Sequence, residues 1–180
     1  PEIFHKTQTT TLTVRVAGVS GDFKPDYGRD VMPVLSKLGC NAGICHGAKD
    51  GKNGFKLSLR GYDPIYDIRA FTDDLASRRV NVASPDNSLL LLKASASVPH
   101  EGGQLTKMGE DYYEILKSWV AGGSKLELDS PRVTSIELSP KNPVVQKIGD
   151  KQQMRVIATY ANGEKRDVTA ESFIETGNSD

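Results

Sequence analysis

The chain has 180 residues, and its 23 lysines and arginines balance its 23 aspartates and glutamates, so the formal net charge is zero. A neutral chain of this length has no electrostatic footprint for nucleic acid, and it can form one ordinary domain plus a smaller piece. Its longest apolar run is the four leucines at 89–92, far short of the roughly 20 residues of a membrane span. The sequence therefore predicts no nucleic-acid partner and no membrane span.

The first elements are a strand and a helix. Residues 9–16 alternate polar and apolar side chains and are rich in β-branched types, which predicts a strand. Because one strand is not stable alone, this strand is either an edge strand of the next domain or the last strand of a preceding one, and we favour the second for residues 1–21. Residues 30–38 place apolar side chains at helical spacing, with Asp30 as the predicted N-cap and Gly39 as the stop.

Two cysteines and a histidine follow that helix. Cys40 and Cys45 are separated by four residues, and His46 comes directly after the second. The two thiols can add to the vinyl groups of a porphyrin, and the adjacent imidazole can reach its iron. This pattern predicts one covalently attached haem c, although the usual spacing is C-x-x-C-H. A local disulfide and part of a metal site are the other interpretations. So short a disulfide loop adds little stability, and no further ligands follow at zinc spacing.

The middle of the chain contains further predicted elements and two arginines that are candidates for haem binding. A short extended piece is predicted at 55–59, and Asp63 with Pro64 predicts the start of another helix. The leucines at 89–92 predict a buried helix. Arg78 and Arg79 are either solvated surface, or one of them pairs with a haem propionate, for which a planar guanidinium is well suited.

The second axial position has three possible occupants. His100 lies in a loop between Pro99 and a glycine pair, which favours an imidazole held over the open haem face. Met108 is the runner-up, and an open or water-filled position is the third possibility. We therefore predict His46 and His100 as the two iron ligands.

The end of the chain changes from helix to strands. Residues 110–121 form the clearest amphipathic helix and contain the only tryptophan. Strands are predicted at 133–138, at 153–160 and around 168–174, with an Asn-Gly hairpin turn at 161–164. This second architecture places a boundary near residue 125. An incomplete sheet should be the least stable part of the chain, with protease cutting near 124–131.

Several of these segments together resemble one family, the cytochrome c domain of large exported planctomycete proteins, which is joined to bacterial Ig-like domains. The segments are DVMPVL (30–35), GCNAG (39–43), CHG (45–47), GFKLSL (54–59), RRVN (78–81), SLLL (88–91), PHEGG (99–103) and the helix of Trp119. YANG (160–163) and RDVT (166–169) are similar to the start of an Ig-like domain. In smaller relatives a Met-Pro-Pro segment supplies a distal methionine where His100 stands here.

The resemblance implies a fold and an organisation. It predicts a mainly α cytochrome c-like domain with short extended segments at 22–125, followed by a partial Ig-like β-sandwich at 126–180. Residues 1–21 would be the terminal strand of a preceding Ig-like domain. Covalent haem attachment is normally completed outside the cytoplasm, so the resemblance also implies an exported protein of the periplasm or the cell exterior.

The function expected from these features is one-electron transfer by a monohaem c-type cytochrome domain with two histidine ligands. Such a domain is an electron carrier rather than a catalyst in itself, and its partner would be a redox protein or a fused or adjacent oxidoreductase. Two alternatives belong to other classes. A vacant sixth position would suit a small-ligand sensor or a peroxidase, and the Ig-like parts would suit an adhesion or carbohydrate-binding module.

Overall fold

A computed structural model describes residues 11–13, 23–74, 78–147 and 149–175 of the chain. This part contains four α-helices and one three-stranded sheet, connected by turns and by short π-helical and 3-10 helical segments. None of the described helices has both the length and the apolar character needed to cross a membrane. Most of the strand predicted at 9–16, and with it most of the assignment for residues 1–21, lies outside the described residues, and residues 11–13, which are described, are not in a strand.

The first helical segment begins earlier than predicted. Asp26 is its N-cap, since the Asp26 carboxylate accepts a hydrogen bond of 2.7 Å from the backbone amide of Arg29. A π-helical turn over Tyr27–Val31 then leads into α1, Met32–Lys37. The prediction of Asp30 as the cap was wrong because the helical run starts one turn further towards the N-terminus. Asp30 therefore lies inside that turn, where its side chain is buried.

The next two helices are short. α2 spans Pro64–Thr72 and α3 spans Leu89–Ala94. Asp63 caps α2 as predicted, because its carboxylate accepts a 3.0 Å hydrogen bond from an amide of the first turn. The leucine run of α3 was predicted to be buried throughout, but only Leu91 of the four is fully buried. The other leucines have a surface that the protein core does not cover.

The helix predicted at 110–121 is confirmed as α4, Asp111–Ala121. Its fully buried side chains are Tyr113, Leu116, Trp119 and Val120. Tyr112 is only half-buried, whereas Tyr113 lies in the core. The Tyr113 hydroxyl donates a 2.8 Å hydrogen bond to the Asp86 carboxylate, so its polar end has a partner.

The helices pack around one apolar core in which aromatic rings touch in series. Ring centroids are 5.2 Å apart for Phe55 and Phe71, 5.7 Å for Phe71 and Trp119, and 5.5 Å for Trp119 and Tyr27. All three pairs are tilted or edge-on, the arrangements that aromatic rings favour. The core thus extends from α4 to Phe55, which lies beside His46.

The sheet consists of β1 (Val133–Ser139), β2 (Arg155–Tyr160) and β3 (Lys165–Asp167), antiparallel in that order. The turn predicted at 161–164 connects β2 and β3, and its Gly163 has φ +83°. The first two strands were predicted within two residues of their ends, as is usual for boundaries read from sequence.

The third strand was predicted in the wrong place. It ends at Asp167, before the predicted stretch of 168–174 begins. The Asp167 carboxylate accepts hydrogen bonds from the amide and the hydroxyl of Thr169 at 3.1 and 2.6 Å, which turns the chain away from the sheet. The apolar residues after Asp167 are therefore not strand residues.

The predicted fold class was also wrong. Helix accounts for only 28% of the structure, and the three-stranded antiparallel sheet makes it mixed α and β rather than mainly α. The physical reason is that long stretches between the helices form turns. Residues 38–58 and 95–110, for example, contain no helix, because their glycines and local hydrogen bonds favour turns.

The end of the sheet region contacts the helical part directly. The Arg166 guanidinium lies 2.7 Å from the carboxylate of Asp30, whose side chain is 1% exposed. The Tyr112 hydroxyl donates a 2.7 Å hydrogen bond to the Ala170 carbonyl. The division at residues 125 and 126 remains a prediction, but polar contacts join its two sides.

Candidate functional site

Cys40, Cys45 and His46 lie on a compact turn that follows α1, residues 40–46, which we call the attachment loop. Gly39 ends the helix as predicted, at φ +78°, a left-handed conformation that glycine adopts without strain. The Cys40 amide donates to the carbonyl of Leu35 at 2.9 Å, and the His46 amide donates to the carbonyl of Cys40 at 3.0 Å. The second bond closes the loop and holds thiols and imidazole in one turn.

The longer spacing between the cysteines is accommodated by an outward bulge. Gly43 and Ile44 are exposed at its tip, whereas Asn41 is buried and its amide donates a 2.9 Å hydrogen bond to Ser36 Oγ. Gly47 permits the return of the chain, since a β-carbon at this position would lie 2.2 Å from the Asn41 carbonyl oxygen. The loop is therefore built for two additional residues.

Both cysteines are free thiols in the structure, so the disulfide considered from the sequence is not formed. Burial raises the pKa of Cys40 from its usual 9.0 to about 12, and the charge of Cys45 acts in the same direction. Cys40 is consequently a neutral thiol at pH 7, the form that an apolar wall tolerates.

This shift predicts a slow thiol. In the chain made without haem, Cys40 should react with iodoacetamide roughly 100-fold more slowly at pH 8 than an exposed cysteine, because only the thiolate reacts. The rate should rise as the pH approaches 12. Peptide mass mapping of a Cys45→Ala variant measures the reaction rate of Cys40 without interference from the second thiol. Equal rates at pH 8 in the native and the urea-unfolded variant would contradict the prediction.

His46 is held in a defined orientation. Its Nδ1 lies 3.0 Å from the carbonyl oxygen of Phe55, which can only accept, so Nδ1 carries the hydrogen and Nε2 has a free electron pair. Burial lowers the pKa of His46 below its usual 6.5, and the charges of His100, Arg79 and Lys52 contribute to the same shift. The imidazole is therefore neutral at pH 7, as a metal ligand must be.

A cavity of about 780 Å³ opens in front of this imidazole. Its volume is within the range of about 300–1,000 Å³ that is typical of small-molecule and cofactor sites. The apolar part of its wall consists of Leu35, Leu38, Phe55, Leu57, Phe71, Leu89, Leu90, Ala94 and Leu105. The uncovered surface of the α3 leucines is therefore cavity wall.

All six residues predicted to bind haem line this one cavity, although they come from three separate segments. They are Cys40, Cys45, His46, Arg78, Arg79 and His100. The ring of His100 makes the same kind of contact as the ring of His46. Its Nδ1 lies 3.0 Å from the carbonyl oxygen of Gly103. Each imidazole thus uses Nδ1 for a backbone carbonyl and keeps Nε2 for a ligand.

Met108 is placed elsewhere. It is not among the residues that line the cavity, and its side chain is 69% exposed. The methionine proposed as runner-up would need a large movement of its loop to reach the cavity. Of the two candidate side chains for the second axial position, only His100 is at the site.

The two arginines differ in their surroundings. Arg78 is exposed at the cavity, where a guanidinium can meet an anionic group. Arg79 is buried, and its guanidinium donates to the carbonyls of Ala70 and Gly54 at 2.8 and 2.9 Å. The sequence did not distinguish the two residues, whereas the structure gives Arg79 partners inside the protein and leaves Arg78 exposed at the cavity.

No family model, no curated protein and no solved structure matches this chain. The family resemblance inferred from its motifs therefore stays a prediction. In the described part of the chain, no cluster of three or more His, Cys, Asp or Glu side chains could hold a metal ion by itself. Two imidazoles would be sufficient for a haem iron, because the porphyrin supplies its other ligands.

The residues present fit a covalently bound haem. The cavity offers two free thiols, two imidazoles whose Nδ1 atoms are bonded to backbone carbonyls, and an apolar wall. Sequence reasoning missed Phe55, whose carbonyl orients His46, and Lys52, whose ammonium pairs with Glu101 of the His100 loop at 3.3 Å. Gly51 and Gly54, which flank residues 52–53, were the available signal for a turn. They do not indicate which backbone carbonyl of the turn faces His46.

Proposed function

We propose that this chain is an exported one-electron carrier that holds a single covalently bound haem c in the cavity between the attachment loop and the His100 loop. The observation that carries the proposal is the convergence of both thiols and two oriented imidazoles on one apolar cavity. Each thiol would add across one vinyl group, sulfur to one carbon and hydrogen to the other, so that no atom is lost.

The side chains around this cavity are suited to binding a haem. His46 and His100 present Nε2 from loops that their own Nδ1 hydrogen bonds orient, which fixes the direction of each potential ligand. The leucines of α1 and α3 exclude water from the interior, and Arg78 places a positive charge where a propionate could lie. When bound, haem supplies the redox chemistry by alternating between ferric and ferrous iron.

This function calls for a partner and a compartment. An electron carrier needs a donor and an acceptor, so we propose a redox partner protein or a fused or adjacent oxidoreductase. Covalent haem attachment is normally completed outside the cytoplasm, which is the reason for proposing the periplasm or the cell exterior.

Mass measurement under denaturing conditions tests the proposal. The chain produced in cells with a working haem-attachment system should carry the added mass of one haem, since a thioether survives denaturation. A Cys40→Ala, Cys45→Ala double variant should lose that mass entirely and keep only dissociable haem. An unmodified wild-type mass under the same conditions would refute covalent attachment.

A further inference from the structure

We propose that Arg79 is a positioning residue for His46, acting through the carbonyl of Phe55 that receives the His46 Nδ1 hydrogen bond. The inference rests on the proposed function, since it takes His46 as a haem ligand. The two adjacent arginines then have different roles. Arg78 remains exposed at the cavity, and Arg79 holds Phe55, which orients His46.

The contacts of Arg79 join two separate parts of the wall. One guanidinium nitrogen, Nη1, donates to the Ala70 carbonyl at 2.8 Å and lies 3.4 Å from the carboxylate of Asp74, at the end of α2. The other, Nη2, donates to the Gly54 carbonyl at 2.9 Å. Arg79 is 6% exposed, so these bonds are made largely out of water and hold the turn that carries Phe55 against α2.

Phe55 connects this anchor to the imidazole. The Arg79 guanidinium lies over the Phe55 ring, 4.5 Å from its centroid, and that ring packs against the His46 ring at 4.7 Å. The Phe55 carbonyl accepts from His46 Nδ1 at 3.0 Å and from the Lys52 amide at 2.9 Å. Both the ring and the carbonyl that fix His46 therefore belong to the residue that Arg79 holds in place.

The planar guanidinium is required for this arrangement. It donates in two directions from a fixed plane and stacks on an aromatic face, whereas an ammonium is a point donor on a flexible chain. An Arg79→Lys substitution keeps the charge but loses the bridge between Ala70 and Gly54. Arg69→Lys is the matched control, because it makes the same change in an arginine of α2 whose side chain is 73% exposed and does not line the cavity.

The test compares haem-loaded wild type, Arg79→Lys and Arg69→Lys. In the ferrous protein, exchange of the His46 Nδ1 proton with deuterated water, followed by NMR, should be at least about tenfold faster in Arg79→Lys, within the 10- to 100-fold effects usual for outer-shell partners. A weaker hydrogen bond from His46 Nδ1 makes the His46 imidazole a poorer electron-pair donor to ferric iron. The reduction equilibrium should then move about tenfold towards ferrous, which for one electron is about 59 mV upward.

Arg69→Lys should leave the exchange rate and the potential unchanged. If Arg79→Lys does not fold, Phe55→Leu decides, because it removes the ring between Arg79 and His46 and should shift both readouts in the same direction. Variants that are less stable but have wild-type exchange and potential would overturn the inference alone. A wild-type chain without added haem mass would overturn the proposed function and this inference with it.

Discussion

Replacing His100 with alanine should convert the six-coordinate, low-spin ferric spectrum expected of the haem-loaded protein into a high-spin or water-ligated one. The change should be complete, because the variant removes the only candidate side chain for the second axial position that the structure places at the cavity. The variant should also gain the ability to bind added imidazole. Absorption and EPR spectra at neutral pH measure both effects.

Met108→Ala is the control for this experiment. Since Met108 is 69% exposed and does not line the cavity, its removal should leave the spectrum unchanged. A thioether-to-iron charge-transfer band in the wild type that disappears in Met108→Ala would reverse the assignment. A high-spin wild-type spectrum would instead favour an open site, as in a small-ligand sensor or a peroxidase.

Ligation by two imidazoles also predicts a low reduction potential. A methionine thioether raises the potential of cytochromes c by favouring ferrous iron, whereas a second imidazole supports the ferric form. Because axial ligands move haem potentials over about 0.8 V, this effect should exceed that of surface charges. Redox titration of the wild type would show it.

Arg166→Ala should lower the free energy of unfolding by about 3 kcal/mol, the scale for breaking a buried ion pair from one side. Asp30 is the reason, because its side chain is 1% exposed and Arg166 lies 2.7 Å from its carboxylate. Arg29, at 3.2 Å, remains as a partner and keeps the loss at the lower end of that scale. Urea unfolding followed by Trp119 fluorescence measures the change in the helical core.

Arg155→Ala provides the matched control in the same sheet. Arg155 pairs with Asp167 at 2.9 Å, but both side chains are at least half exposed, so the loss should be much smaller. If Arg166→Ala is as mild as Arg155→Ala, residues 126–180 contribute little to the helical part and the predicted boundary gains support. Removing Asp30 and Arg166 together should cost less than Arg166→Ala alone.

Local signals in the sequence predicted local structure well. Asp63 caps α2, α4 spans nearly the predicted residues, and the Asn-Gly turn connects β2 and β3. Each of these features depends on side chains and amides only a few residues apart, so the sequence window contains all the interacting groups. The sequence also places Cys40, Cys45 and His46 in one turn for the same reason, whereas haem attachment there stays a prediction.

Errors arose where a distant partner decided the outcome. Asp30 has the sequence of an N-cap, but it is buried because Arg166, 136 residues further along the chain, supplies its counter-charge. Arg79 has the sequence of a surface cation, but Ala70 and Gly54 supply acceptors in the interior. Neither partnership follows a periodicity that a sequence window could reveal.

The sequence by itself therefore determined which groups this protein has for the haem that we propose: two thiols, an adjacent imidazole, a second loop histidine and apolar helices. Only the tertiary structure decided that these groups meet, that Met108 does not join them and that Arg79 turns inward. The physical reason is that residue type sets what a side chain can bind, whereas packing between distant segments sets which partner is within reach.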